Sequence, residues 1–467
     1  MLNSGFNYRK VQISHTPAHI LKQRRQKLAQ LIDFPVILWS GCPSSRNFRA
    51  NVYPFRPSSH FLYFAGMNLE NCAILLEDGK LELFMDDPKP SSALWHGEMP
   101  TRSAISQYIH ADRDFTISQL PEKAQGAATI PVQDLYTYQQ QSQILGREIS
   151  RKPTGIDLAL AKAIITLRLC HDEAAIEEIR QAAKVTVAAH KTGMAATLSA
   201  KTEAEVRGAT EGVIIAHNMT CSYNSIVTVQ GEVLHNNNYH HSLQPGDLLL
   251  ADVGAETTLG WAADVTRTWP VTGKFSSTQR DIYEIVLAAH DECIAKIYPR
   301  VEYRDIHLLA ARIIAEGLVN LGILRGKVEE LVDNDAHALF FPHGIGHLLG
   351  LDVHDMEDLG DLAGYEEGRQ RSDRFGLGFL RLNRRLASGM IVTIEPGFYQ
   401  VPGILNNPDN RAKYQNMVNW ERLEQFADVR GIRIEDDVLV TSSAREVITA
   451  ALPTKPDAIE ALVQGRG

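Results

Sequence analysis

Thirteen residues, "HGIGHLLGLDVHD" from His343 to Asp355, hold three histidines and two aspartates among glycines and leucines. His343 and His347 stand four apart, the spacing at which the helical HExxH pattern presents two imidazoles to one zinc ion. Gly344 follows His343, so that pattern's glutamate is missing, and "GIG" is poor helix. A glycine-flanked loop or strand fits better, with one of the two histidines reaching a metal. Spacing alone does not choose between them.

Four acids supply the rest of the chemistry. In "DLLLADVG" Asp252 closes an apolar row on the face of Leu248 and Leu250. In "WAADVTRTWP" the two-residue period of a strand puts Asp264 with Ala262, Thr266 and Thr268. A hairpin through the glycine-bearing "GAETTLG" would bring Asp252 and Asp264 to one side of a sheet. "GMIVTIEPGFY" groups Ile391, Thr393 and Glu395, and Pro396 ends the ladder. "GIRIEDDVLVT" groups Arg433, Glu435 and Asp437 against Ile432, Ile434, Val438 and Val440. One acid on a strand is ordinarily a solvent-facing residue. Four in strongly apolar strands would repel and raise one another's pKa values. Two divalent ions balance four such charges, and one neutral imidazole completes a set suited to dinuclear Mn, Co, Fe or Zn.

The elements that must position these groups change character along the chain. Early on, "FPVILW", "NCAILLEDG" and "LELFMDD" read as strands, with a hairpin at Asp78-Gly79 because Asp-Gly accepts positive φ. From Asp157 to Met194 the period becomes helical, and one helix hands over to a second capped by Asp172. Helices follow over Ala204–Asn218 and Ser277–Ile297, interleaved with the acid-bearing strands. The expected class is α+β, with domains at 1–166 and 167–467.

A chain of 467 residues exceeds what one core ordinarily supports. A net charge of −9 argues against a nucleic-acid surface. The local basic run "KQRRQK" (Lys22 to Lys27) reads as a solvated helix face beside a Leu21, Leu28 and Leu31 stripe. Five cysteines without CxxC spacing fit a reducing compartment. No apolar run reaches the length of a membrane span, and the first seventeen residues have no apolar core of a secretory signal. The expectation is a cytoplasmic protein without nucleic-acid or membrane partners.

At this point the sequence resembles the pita-bread metallopeptidases of the aminopeptidase P and prolidase group. The motifs are "LLLADVGAETTLGWAADVTRTWPVTGKF", "FPHGIGHLLGLDVHD", "GMIVTIEPGFY" and "GIRIEDDVLVT", within Leu167 to Thr441. "YPFRPSSHFLYFAGM" (Tyr53 to Met67) is similar to the aminopeptidase P amino-terminal domain. The resemblance implies a pita-bread catalytic domain behind a smaller mixed α/β domain, and two divalent ions, Mn(II) foremost, with Co, Zn or Fe as alternatives. It implies Asp252 on one metal, Asp264 and Glu435 bridging both, and His347 and Glu395 completing the second. In the family a water between the metals attacks the scissile carbonyl, and the glutamate matching Glu395 shuttles its proton. His235, His343 and His354 match histidines that orient substrate, and Arg433 matches an arginine positioning the bridging glutamate.

Two departures matter. Asp252 and Asp264 lie twelve positions apart, one more than the usual family spacing. Long insertions precede and follow Glu395, and Arg381 falls where prolidase-like members bind the free carboxylate of a dipeptide. The implied activity is an Xaa-Pro aminopeptidase acting on peptides. The alternatives are an Xaa-Pro dipeptidase and, remotely, a non-catalytic pita-bread binding module lacking part of the five-ligand set. A homodimer or tetramer is implied as well.

Overall fold

A computed structural model describes residues 16–466. Most of the segment read for a secretory signal therefore lies outside the described residues. The chain divides into two compact units, Met1–Leu160 and Ala161–Gly467.

The first unit is built on four strands in spatial order β1 (Val36–Trp39), β2 (Ala73–Glu77), β3 (Lys80–Phe84) and β4 (Arg113–Phe115). The first three pair antiparallel and β4 joins β3 in parallel. The β2–β3 turn is the expected one: Glu77 faces Lys80, and Asp78 and Gly79 have φ of 50° and 74°. Helix α1 (Ala18–Ala29) carries the basic run and corrects its reading. Leu21 and Leu28 are buried as expected, but Leu31 is exposed and Arg24 and Arg25 are buried. Carbonyls accept from both guanidinium groups: Arg24 donates to Tyr63 O, and Arg25 to Ile109 O and His110 O, while Arg25 Nε has no hydrogen-bond partner among the described residues. Within the run, the flanking Lys22, Gln23, Gln26 and Lys27 form the solvated face.

The second unit interleaves long helices with short antiparallel strands, as an α+β domain does. Helix α2 (Glu173–Ala196) starts where Asp172 accepts a hydrogen bond from Ala175 N, and α3 (Glu203–Ala216) packs beside it. Helix α4 (Ser277–Ala295) opens with a Ser276/Gln279 capping box and pairs with α5 (Tyr303–Asn320). A three-stranded sheet runs β5 (Ile226–Thr228), β6 (Leu248–Asp252), β7 (Thr266–Pro270), all antiparallel.

The last two acid-bearing stretches are not single strands. "GMIVTIEPGFY" forms β8 (Ile391–Ile394) and β9 (Gly397–Tyr399), and "GIRIEDDVLVT" forms β10 (Gly431–Arg433) and β11 (Asp436–Val440). Strand β8 pairs with β11, while β9 pairs with β10. The two segments pair with each other throughout in one register, Ile394 opposite Asp436 and Gly397 opposite Arg433, and the ladder is interrupted only at Glu395-Pro396 and Ile434-Glu435. Each interruption holds one of the expected ligands, and the register sets Glu395 opposite Glu435. A further strand, β12 (Arg445–Val447), extends the β8–β11 sheet.

Candidate metal centre

Asp252 ends β6 directly opposite Thr266, the first residue of β7. Asp264 does not lie in β7, as the alternation of "WAADVTRTWP" suggested, but two residues ahead of it in irregular backbone. Its amide donates to both carboxylate oxygens of Asp437, at 3.2 and 3.3 Å. Gly254 makes this approach possible, because a Cβ there would come within 1.8 Å of Ala263 O. Tyr223 closes the gap, its hydroxyl 2.5 Å from Asp252 Oδ1 and 2.5 Å from Asp264 Oδ1.

The histidine stretch is not helical. Residues 345–349 run antiparallel along β8, with Glu395 N donating to Ile345 O, Thr393 N to His347 O, and Leu349 N to Ile391 O. Gly346 is required by proximity: a Cβ there would meet Thr393 O at 2.2 Å and the Tyr303 hydroxyl at 2.3 Å. His347 emerges from this extended segment. Its Nδ1 lies 3.0 Å from Leu348 O, which fixes the proton on Nδ1 and leaves the Nε2 lone pair for a cation. That Nε2 is 3.3 Å from Asp264 Oδ2 and 3.6 Å from Glu395 Oε1. Ligand atoms of Asp264, His347 and Glu435 all lie within 4.8 Å of one another.

Arg433 and Arg267 hold the carboxylates from two sides. Arg433 donates to Asp252 Oδ2 at 2.6 Å, to the Tyr399 hydroxyl at 2.9 Å, and to Thr266 Oγ1 at 3.0 Å. Thr266 in turn donates to Glu435 Oε2 at 2.6 Å. The direct carboxylate partner of Arg433 is thus Asp252, and it reaches Glu435 through the threonine hydroxyl. Arg267, fully buried, binds the Glu435 and Thr266 carbonyls, the Asp436 carboxylate, and the Leu452 and Pro453 carbonyls. Every guanidinium N–H has a partner, so Glu435 is fixed through its backbone as well.

Burial raises the carboxyl pKa values of Asp264, Glu395 and Glu435, and the neighbouring acids add to the rise. His347 and Arg433 act in the opposite sense on Glu395. An oxygen-rich, single-imidazole set with charge too dense for its burial fits divalent cations, which remove both costs together. The residues present therefore suit the implied metals.

The other expected residues line the same cleft of about 480 Å³, together with Leu234, Phe379, Val401 and Ile404. His343 lies 2.8 Å from the Tyr399 hydroxyl through Nε2 and 2.7 Å from Gly344 O through Nδ1. Burial first, then Arg433, lowers its pKa to about 3, so it stays neutral. His354 stacks edge-on against His347, ring centroids 4.3 Å apart, and its Nδ1 lies 2.7 Å from Glu357 Oε2. His235 is at the exposed mouth, and Arg381 pairs with Glu357.

Tyr223, Thr266, Arg267, Tyr399, Asp437 and Glu357 were missed by sequence reasoning. Arg267 left one signal, a guanidinium on the apolar face shared by Val265 and Trp269. Asp437 appeared only as a face-mate of Glu435. Tyr223 left none, being 29 residues from Asp252.

Residues 177–442 match metallopeptidase family M24, and residues 21–136 match the aminopeptidase P N-terminal domain. A probable Xaa-Pro aminopeptidase of Fusarium vanettenii is 33% identical over 422 residues, 88% of each chain. One from Talaromyces marneffei is 32% identical over 428 residues, again 88% of each. Zinc-substituted Escherichia coli aminopeptidase P in complex with product is similar with a TM-score of 0.79 at 28% identity, over 97% of this chain and 100% of that one. Proline aminopeptidase P II from Yersinia pestis gives 0.78 at 28%, over 96% and 100%. The expected α+β architecture, a pita-bread domain behind a smaller one, is borne out, and the chain belongs to metallopeptidase family M24.

Proposed function

We propose that this chain is a metal-dependent Xaa-Pro aminopeptidase, releasing the N-terminal residue of peptides with proline in second position. The observation that carries the reading is the convergence of four acids and one lone-pair imidazole on one cleft, in a chain similar to Xaa-Pro aminopeptidases along most of its length. In this reading residues 167–467 form the catalytic domain and 1–166 the amino-terminal domain. Asp252, Asp264, His347, Glu395 and Glu435 would hold two divalent ions, Mn(II) foremost, since oxygen donors and a single imidazole accept it readily.

When bound, the ions supply Lewis acidity and lower the pKa of water. The chain's own residues do the rest. Glu395 takes and returns a proton at its carboxylate, which lies between His347 and His343. Arg433 and Tyr399 hold Asp252 and His343 in place. His354, with Nδ1 engaged, leaves Nε2 for the peptide, and His235 flanks the mouth. Leu234, Phe379, Val401 and Ile404 present apolar surface to the proline ring and exclude water.

A cytoplasmic location is supported by cysteines that are all unpaired. Among the described residues no helix is long and apolar enough to cross a membrane. A homodimer or tetramer is supported by Leu94 and Trp95, which stand 79% and 77% exposed on the first unit. Arg381, lining the cleft, is the observation that favours the dipeptidase alternative. The test is hydrolysis of an Xaa-Pro-Xaa tripeptide with Mn(II), its loss on chelation and its return with metal. Metal-loaded protein inert on every Xaa-Pro peptide overturns the reading.

A further inference from the structure

Three guanidinium groups line the cleft, and each already sits on an acid of the chain. Arg433 donates to Asp252 at 2.6 Å, Arg371 to Asp361 at 2.6 Å, and Arg381 to Glu357 Oε1. Arg433 is buried, and Arg371 also donates to the Gly378 and Leu380 carbonyls. The Arg371 and Arg381 pairs are both open to solvent, with side chains 40% and 48% and 36% and 45% exposed, but Arg371 is also anchored on those carbonyls.

Glu357 uses one oxygen on Arg381 and the other on His354 Nδ1, at 2.7 Å. Its position is set by a turn: Met356, fully buried, takes a left-handed φ of 60°, and Glu357 begins the short 3-10 turn Glu357–Leu359. The two basic partners depress its carboxyl pKa to about 2, His354 foremost, so the anion is present at all physiological pH. Arg381 and His354 face both the main cleft and an adjoining recess of about 120 Å³.

A two-residue substrate carries a free carboxylate on the proline, whereas a longer peptide presents a neutral amide there. A carboxylate that leaves water for the cleft needs a cation or hydrogen-bond donor to replace its hydration. We propose that Glu357 is a built-in carboxylate that occupies Arg381 and makes the site select peptides continuing beyond the proline over Xaa-Pro dipeptides. The inference rests on the Xaa-Pro reading above and names its substrate class. A dipeptide that takes Arg381 must displace Glu357, and the same displacement releases His354.

The experiment compares kcat/KM for Ala-Pro, its C-terminal amide, and Ala-Pro-Ala, with Mn(II)-loaded wild type, Glu357→Gln, Glu357→Ala, Arg381→Met and the Glu357→Gln/Arg381→Met double variant. The dipeptide-to-amide ratio cancels any general loss from a less well oriented His354. Either Glu357 variant should raise that ratio about tenfold, the scale of one charge-assisted hydrogen bond, and the double variant should return it to the wild-type value. An unchanged ratio in folded Glu357 variants overturns the proposal, as does a selective loss of Ala-Pro hydrolysis in Arg381→Met, because Arg381 would then already serve the substrate. Wild type inert on all three peptides overturns the Xaa-Pro reading itself. Activity on Ala-Pro-Ala with unmoved ratios overturns only the role of Glu357.

Discussion

Glu395 sits at the sheet break with its amide on Ile345 O and its carboxylate between His347 and His343. Its charge is used in the chemistry rather than in the fold. Glu395→Gln should lower kcat by about 10²–10⁴-fold, the range for a general acid–base group, while circular dichroism and Tm stay near wild type. A variant retaining more than a tenth of wild-type kcat would remove Glu395 from the proposed proton transfer. Tyr223 acts differently, because its hydroxyl lies between the two aspartates and has only one proton to donate. Tyr223→Phe keeps the ring and loses the hydroxyl that sits against both carboxylates. Its expected effect is a metal affinity weaker by about 10–100-fold, read by calorimetric titration of the metal-free protein.

The elements gain their shape from close approach and from buried pairing. The His347 segment can lie on β8 only because Gly346 has no side chain. Gly346→Ala forces a shift of backbone against backbone and should cost about 1–3 kcal/mol in denaturant unfolding, with a parallel loss of metal binding. Unchanged values of both would mean that the segment moves freely. Arg267 joins β7 to the β10–β11 break and to the carboxylate of Asp436. Arg267→Met fills similar volume but leaves buried Asp436 with His290, 2.9 Å away, as its remaining basic partner, an expected loss of up to about 3–5 kcal/mol. A second substitution, Asp436→Asn, should recover part of that loss by removing the undercompensated charge.

The catalytic unit as a whole holds more negative charge in one cleft than its solvation supports. Asp264, Glu395 and Glu435 have folded pKa values above their unfolded ones. Below the unfolded carboxylate range both states are protonated and these groups carry no penalty. As pH rises toward the raised folded values the unfolded chain ionises first, so metal-free protein loses their contribution to stability across that window. Divalent ions bound only by the folded state reverse the loss, adding about 2.7 kcal/mol at a hundredfold excess over Kd. Thermal unfolding across the mildly acidic to neutral range, with and without chelator, should show the two curves converge at the acid end. Parallel curves would mean that these acids are not the metal-sensitive groups.

The sequence by itself determined the α+β class, the Asp78-Gly79 hairpin and the Asp172 cap, and it singled out the four acids that the fold gathers in one cleft, because periodicity, turn chemistry and charge in apolar strands are local properties. It also argued against a helical His343/His347 pair from two glycines. Tertiary structure decided the rest. That Glu395 comes to lie opposite Glu435 follows from the register in which two segments distant in sequence pair, which no single strand's alternation encodes. Tyr223, Arg267 and Asp437 join the site across 29, 168 and 173 residues of sequence. The burial of Arg24 and Arg25 likewise depended on carbonyls supplied by distant segments. A charged residue's fate is set by the partners that folding brings to it, and those partners are written nowhere near it in the chain.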